Sequence, residues 1–165
     1  MLTAIEKALA KLENAIIILV VLGIVASIFL QVIFRYVIQA PLSWTEELAR
    51  SLLIWLTFVG AALALREGGH FALDVLIGKL PAKIRAGFEL VLMAITAIFL
   101  SVLLYKGLFI LPVVHQQTSA SLRIPMSFVY LAIPVGSGFM LFHTLALSYR
   151  KAFHIYTGVE EEEPR

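Results

Sequence analysis

An uncharged helix in the middle of the chain begins with three charged residues, Glu46, Glu47 and Arg50. Glu46 lies four residues before Arg50 and Glu47 lies three before it, so in a helix both carboxylates lie one turn from the guanidinium. We therefore expect the three side chains to form one charged cluster. A catalytic acid and base pair is disfavoured, because adjacent residues of a helix point about 100° apart.

The helix that must position this cluster is uncharged over residues 51–65. That length is about 22 Å, which is less than the roughly 30 Å of a bilayer's hydrocarbon core. The helix from Trp44 to residue 65 is about 33 Å long, which is enough to span the core. This length places the charges at one membrane interface. Two interpretations remain open: a salt bridge that anchors the helix end, or a docking surface for another subunit. We also predict that Ser43 caps this helix, with Glu46 bonding back to the cap.

Composition establishes the class of protein. Of the 165 residues, 61% are hydrophobic and 15% are charged, and the mean hydropathy is +0.95. These values are typical of an integral membrane protein, whose principal surroundings are the lipid bilayer. Cysteine is absent, which excludes a disulfide framework, a thiolate nucleophile and a cysteine metal site. A net charge of +2 gives no indication of a nucleic-acid partner.

The hydropathy pattern predicts an all-α protein with a single membrane domain over residues 1–165. A short amphipathic helix precedes the first span, and a charged cytoplasmic tail follows the last one at residues 150–165. Pro112 is expected to end the third helix at Leu111, and Pro134 is expected to kink the fourth, because a proline has no N–H to donate. We predict four membrane spans, at approximately 14–36, 44–65, 86–111 and 124–149.

The distribution of lysine and arginine between the segments on the two sides of the membrane predicts that both termini are cytoplasmic. In that orientation nine of the 13 basic residues lie in inner segments and four in outer ones. The inner residues are Lys7, Lys11, Arg66, Lys79, Lys83, Arg85, Arg150, Lys151 and Arg165, and the outer ones are Arg35, Arg50, Lys106 and Arg123.

A second polar group follows the second span at the predicted inner surface, and it comprises Arg66, His70 and Asp74. His70 and Asp74 are four apart and could share a hydrogen bond in a helix. A metal site needs at least three ligands, and only these two and the more distant Glu67 are available. We therefore predict no metal and no cofactor. The cluster either caps helices or contacts a partner, and no role can be derived for the segment 70–78.

The residues inside the spans argue against a self-sufficient small transporter. Such proteins usually have internal repeats and broken helices with polar backbone at the midplane, whereas this chain has one Asn, Asn14, and one Asp, Asp74. A subunit that supports another protein's chemistry is favoured, and an enzyme is not. The alternative is a haem-binding anchor of a respiratory enzyme. It needs imidazoles at matching depth on different helices, and only His143 lies within a predicted span.

Several short motifs resemble the small membrane (Q) subunit of tripartite ATP-independent periplasmic (TRAP) transporters, and the likeness extends over nearly the whole chain. They are W-T-E-E-L-A-R at residues 44–50, W-x-x-F-x-G-A at 55–61, R-E-G-G-H-F-A-L-D at 66–74, L-P-x-x-x-R at 80–85 and I-P at 133–134.

The resemblance implies a partnership in the bacterial inner membrane. In that family a periplasmic substrate-binding protein delivers a carboxylate solute, of the dicarboxylate or sialic acid type, to a large multi-span membrane subunit. The large subunit moves the solute inward by sodium-coupled symport, and the small subunit packs on it as a scaffold. This resemblance implies that the interface with the large subunit or the binding protein includes Trp44, Glu46, Glu47, Arg50, Trp55 and Gly60.

Overall fold

The computed structural model describes residues 2–67 and 82–157, with side chains placed for residues 5–67 and 87–150. His70, Asp74, the segment 70–78 and the end of the charged tail lie outside these residues. The described residues form five helices: α1 (Leu2–Tyr36), α2 (Ser43–Arg66), α3 (Ala82–His115), α4 (Ser127–Tyr130) and α5 (Ala132–Thr157).

Four stretches are long and apolar enough to cross a membrane, namely Ile5–Tyr36, Ser43–Arg66, Gly87–His115 and Ser127–Arg150. Helices satisfy their own backbone hydrogen bonds, which the bilayer interior requires. The prediction of an all-α membrane protein with four spans is confirmed. The amphipathic segment at the N-terminus is continuous with the first span, because α1 contains no proline and runs unbroken for 35 residues.

The predicted cap of the second span is wrong. α2 begins at Ser43 itself, and its N-cap is Leu42, which has extended backbone angles and no side-chain capping bond. The hydroxyl of Thr45 donates to the carbonyl of Leu42 at 2.8 Å, and Glu46 pairs with Arg50 further along the helix. Glu46, which would have closed the capping box, is therefore paired with Arg50 instead.

The predicted end of the third span at Leu111 is also wrong, because α3 continues through Pro112 to His115. A proline removes one backbone donor and crowds the carbonyl four residues before it. Pro112 leaves the carbonyl of Leu108 without its helical donor, which is the loss of a single bond, and three further residues stay helical. This loss is small enough for the helix to continue.

The fourth span is divided into α4 and α5 at Leu131. The amide of Leu131 donates to the carbonyl of Ser127 at 2.9 Å, and Val135 donates to Leu131 at 3.2 Å. Pro134, the third residue of α5, has no N–H for the carbonyl of Tyr130. The division therefore lies next to the carbonyl that the proline leaves without its helical donor.

The helices pack as an open row. α1 packs against α2, α2 against α5 and α5 against α3, while α4 lies against α2, α3 and α5. The two edge helices present large apolar side chains outward, such as Leu19 and Phe29 of α1 and Ile98 and Phe109 of α3. Those surfaces suit lipid or another membrane protein.

Small residues bring the central helices of this row together. A Cβ added at Gly136 of α5 would lie 2.6–2.8 Å from atoms of Phe58 of α2, and one added at Gly23 of α1 would lie 2.8 Å from Leu52. Ala62, Leu100 and Met140 form the buried core between α2, α3 and α5. Close helix approach is therefore used inside the chain itself.

We predict that Gly136→Ala lowers the free energy of unfolding by about 1–3 kcal/mol, because the new methyl group would overlap the backbone of Phe58. Gly138→Ala is the matched control, since a Cβ there would lie 4.0 Å from Leu104. Thermal unfolding in mild detergent measures both. Equal stability of the two variants would contradict the close approach of α2 and α5.

Candidate functional site

The charged side chains of α2 lie at its two ends, with Glu47 near the start and Arg66 at the last residue. Nineteen residues separate them, which is about 28 Å along a helix. Each end binds a different part of the chain. The two groups are therefore described separately, as the Glu47 clasp and the Glu13 cluster.

The Glu47 clasp joins α2 to the connection between α3 and α4. Oε2 of Glu47 accepts hydrogen bonds from the backbone N–H groups of Ser121 at 2.7 Å and Leu122 at 3.1 Å. A carboxylate held by backbone donors forms charge-assisted bonds, which are stronger than neutral ones. Nearby, the indole N–H of Trp55 donates to the carbonyl of Phe128 at 3.0 Å. Glu47 thus fastens this connection to α2, and Trp55 fastens α4 to the same helix.

The connection presents those donors because it folds back on itself. Ser119 donates to the carbonyl of Ile124 at 2.9 Å, and Met126 donates to Gln117 at 2.9 Å. Arg123 has a positive φ of 55°, a left-handed conformation that reverses the chain direction. The tight reversal leaves the amides of residues 121 and 122 without partners in the connection, so they are available to Glu47.

The predicted cluster of Glu46, Glu47 and Arg50 does not form as one group. Glu46 and Arg50 make an ion pair, but their side chains are 57% and 74% exposed, and such a surface pair contributes about 0.3–0.5 kcal/mol. Glu47 instead turns to the loop amides, since its two bonds there are less exposed to water. The exposed pair is available to a partner, whereas Glu47 is committed within the chain.

The Glu13 cluster comprises Glu13, Asn14, Arg66 and His143, and it ties together α1, α2 and α5. The side chain of Glu13 is fully buried. Its Oε2 accepts from Nη1 of Arg66 at 2.9 Å, and its Oε1 lies 2.6 Å from Nε2 of His143. Oδ1 of Asn14 accepts from Nη2 of Arg66 at 3.2 Å. Both oxygens of the buried carboxylate are therefore occupied.

This arrangement is suited to holding helices together. A buried carboxylate needs a counter-charge and hydrogen-bond donors, and Arg66 and His143 supply them from two other helices. The predicted partners of Arg66, His70 and Asp74, lie outside the described residues. Within residues 2–67 and 82–157, no three His, Cys, Asp or Glu side chains are grouped as metal ligands would be.

Sequence reasoning missed Glu13 and the pairing of His143, and it did not foresee the loop amides that bind Glu47. Glu13 and Arg66 are 53 residues apart, and Glu13 and His143 are 130 apart, so no local spacing reveals them. One signal was available: a lone carboxylate borders the first uncharged span, and a lone guanidinium ends the second. Charges at the same membrane level on neighbouring helices usually pair.

Comparison with known proteins identifies related membrane proteins. The family described as "Tripartite ATP-independent periplasmic transporters, DctQ component" matches residues 24–154. A C4-dicarboxylate TRAP transporter small permease protein of Rhodobacter capsulatus is 39% identical over 66% of this chain and 48% of its own length. The chain thus spans about half of that relative. A sialic acid TRAP transporter small permease protein of Vibrio cholerae is 30% identical over 87% of this chain and 83% of its length.

A longer relative contains the matching segment as a part. The isethionate TRAP transporter permease protein DctMQ of Oleidesulfovibrio alaskensis is 24% identical over 79% of this chain, but over only 22% of its own length. All three relatives are permease proteins of transporters. The prediction that this chain is not an enzyme is confirmed by them.

We predict that Glu13→Gln lowers the free energy of unfolding by about 3 kcal/mol, since it removes the buried one of the two carboxylates that pair with Arg66. Glu67→Gln is the matched control: Glu67 is 67% exposed and lies 3.7 Å from the same guanidinium, so its loss should change stability by less than about 1 kcal/mol. Chemical unfolding in mild detergent measures both. Equal losses would show that burial of Glu13 does not stabilise the fold.

We predict that Glu47→Ala speeds hydrogen exchange at the amides of Ser121 and Leu122 roughly tenfold, because both lose their acceptor. Glu46→Ala, at the neighbouring exposed position, should leave this exchange unchanged. Exchange detected by mass spectrometry on a peptide covering residues 117–126 is the measurement. Unchanged protection in Glu47→Ala would contradict the Glu47 clasp.

Proposed function

The chain belongs to the DctQ component family of tripartite ATP-independent periplasmic transporters, and from this premise we propose that it is the scaffold subunit of such a transporter. In this role it packs on a large multi-span membrane subunit and stabilises it in the membrane. The large subunit then carries the translocation path. The open row of helices is the observation that carries this proposal, because its edge helices bury little of their apolar surface within the chain.

The pairing of polar side chains within the chain supports the role of a scaffold subunit. Glu13, Arg66 and His143 bind each other, and Glu47 binds backbone amides of its own chain. A translocation site needs polar groups that can exchange a solute or an ion. Polar groups already satisfied by neighbouring helices instead make a rigid unit.

The fused relative supports the choice of partner. In the Oleidesulfovibrio permease, the segment similar to this chain is about a fifth of one longer polypeptide. A small component joined to a larger permease in one chain is expected if the two work side by side. We infer that the same association forms here between separate or joined chains.

One face of α2 is the proposed contact with the large subunit. Along it, outward positions recur at helical spacing: Glu46, Arg50, Leu53, Thr57, Gly60 and Ala64. A Cβ added at Gly60 would meet no atom within 4 Å, so this glycine is not needed for packing inside the chain. Small residues on an outward helix face permit close approach of a second membrane helix.

The charged end of this face, with Trp44, Glu46 and Arg50, is proposed to meet either the large subunit or the periplasmic substrate-binding protein. The resemblance also assigns Glu47 and Trp55 to this interface. They act indirectly, because Glu47 fixes the connection between α3 and α4 and Trp55 fixes α4. Arg66 belongs to the Glu13 cluster, and its proposed role with His70 and Asp74 at the inner surface stays a prediction.

The proposal also includes the orientation of the termini, the membrane in which the protein lies and the solute that is transported. The excess of lysine and arginine at one end supports cytoplasmic termini and a bacterial inner membrane. Relatives whose names specify C4-dicarboxylate and sialic acid support a carboxylate solute, and the family supports coupling to sodium. The haem-binding alternative is not favoured, since the relatives are transporter permeases and Nε2 of His143 is bonded to Glu13.

We predict that Gly60→Leu reduces copurification of the large subunit roughly tenfold, because the added side chain projects into the contact. Solute uptake should fall in parallel, while the thermal stability of the isolated chain stays unchanged. Gly87→Leu of α3 is the matched control, since a Cβ there also meets no atom within 4 Å.

Affinity purification from native membranes, followed by quantification of each copurifying protein, is the measurement. Full copurification of the Gly60→Leu variant would exclude this face of α2 as the contact. Sodium-dependent uptake by the chain reconstituted alone would overturn the scaffold role itself.

A further inference from the structure

A cavity of about 310 Å³ lies between the first turns of α1, the end of α2 and the last turns of α5. Lys7, Arg66 and Arg150 line it from these three helices, together with Glu6. Arg66 is the last residue of α2, so the cavity lies where the spans meet the membrane surface. It is adjacent to the Glu13 cluster, because Arg66 and His143 belong to both.

The charge at this cavity is positive. Arg66 is paired with Glu13 and lies 3.7 Å from Glu67, neither of which lines the cavity, and Arg150 is paired with Glu6. In the described part of the chain, no carboxylate lies within ion-pair distance of Lys7. Among the residues that line the cavity, three cations thus face one carboxylate, Glu6, and Lys7 keeps an unpaired positive charge in the described part of the chain. Such a cavity favours an anion that carries several acceptor oxygens.

An apolar groove lies beside the cavity along α5. This groove has a volume of about 250 Å³ and is lined by Phe142, Leu145, Ala146 and Tyr149. Ala146 lines both spaces, so the charged cavity and the apolar groove meet at this residue. From Tyr149 to Phe142 the groove follows α5 for about two turns, away from the charged end and into the membrane span.

We propose that this cavity and groove together bind an anionic phospholipid of the membrane. The phosphodiester headgroup lies against Lys7 and the two arginines, and one acyl chain lies in the groove of α5. Basic cavities between membrane helices are suited to anionic headgroups. The groove distinguishes a lipid from a free phosphate, because only a lipid carries an acyl chain to fill it.

This site does not depend on the proposed transport function, since it is formed by α1, α2 and α5 of this chain alone. Occupation by a lipid headgroup would bridge the three helices on the aqueous side of the Glu13 cluster. Bound lipid therefore stabilises the isolated chain as well as the assembled complex.

The test measures lipid binding to the full chain, purified and delipidated in mild detergent. Phosphatidylglycerol, phosphatidylcholine with the same acyl chains, and inorganic phosphate are titrated separately, and bound lipid is counted by native mass spectrometry alongside the thermal midpoint. We expect saturable binding of phosphatidylglycerol with a rise in the midpoint. Phosphatidylcholine should bind more weakly, and phosphate at equal concentration should produce no rise.

Two variants with one control locate the site. Lys7→Gln should weaken phosphatidylglycerol binding roughly fivefold, the effect of one cation near the headgroup, and Ala146→Trp should abolish the saturable component by filling the junction. Lys11→Gln is the matched control, because Lys11 is also an exposed lysine of α1 but does not line the cavity.

Equal weakening by Lys7→Gln and Lys11→Gln would overturn the proposal in favour of a diffuse surface charge. Equal binding of the two lipids would overturn the headgroup assignment. A midpoint rise with phosphate alone that survives Ala146→Trp would replace the lipid site by a free-anion site.

Discussion

The burial of one carboxylate, Glu13, is the constraint on which the arrangement of the helices depends. A charge removed from water requires a counter-charge and donors within hydrogen-bonding distance. Here the guanidinium comes from the end of α2 and the imidazole from α5. α1, α2 and α5 therefore have only one mutual height and rotation at which all of these groups are satisfied. Apolar packing alone would tolerate sliding and rotation, since lipid tails and apolar side chains are nearly equivalent surroundings.

α2 is the central member of the row and is fixed at both ends. The Glu13 cluster holds its last residue, and the Glu47 clasp holds its first turns to the connection between α3 and α4. Between these two points it packs against α5 so closely that Gly136 admits no side chain. A helix held in this way moves little when a neighbouring protein changes conformation. That property suits a component which stays in place while an adjacent subunit moves its cargo.

The class of the protein, its four spans and their order could be predicted because they depend on local composition and on hydrophobic length. The family resemblance was visible for the same reason, in short motifs such as the one at residues 44–50. The partners of Glu47 could not be predicted from local spacing, and the pairing of Arg66 with Glu13 was indicated only by their similar level in the membrane. Adjacent charges on one helix suggested a local cluster, but two backbone amides more than 70 residues away compete better for Glu47 than the exposed Arg50 does. Pro112 was misread because a proline removes one hydrogen bond to the preceding turn and does not by itself end a helix.

The ion pair between Glu6 and Arg150 has a consequence for how the molecule can be connected to others. It joins the first turns of α1 to the last turns of α5, although these helices stand at different places in the row. A polypeptide that continues from either helix therefore leaves the molecule at the same corner. A neighbouring protein could therefore be joined before α1 or after α5 on the same side of the molecule. Neither attachment would thread a chain through the row or alter the order of its helices.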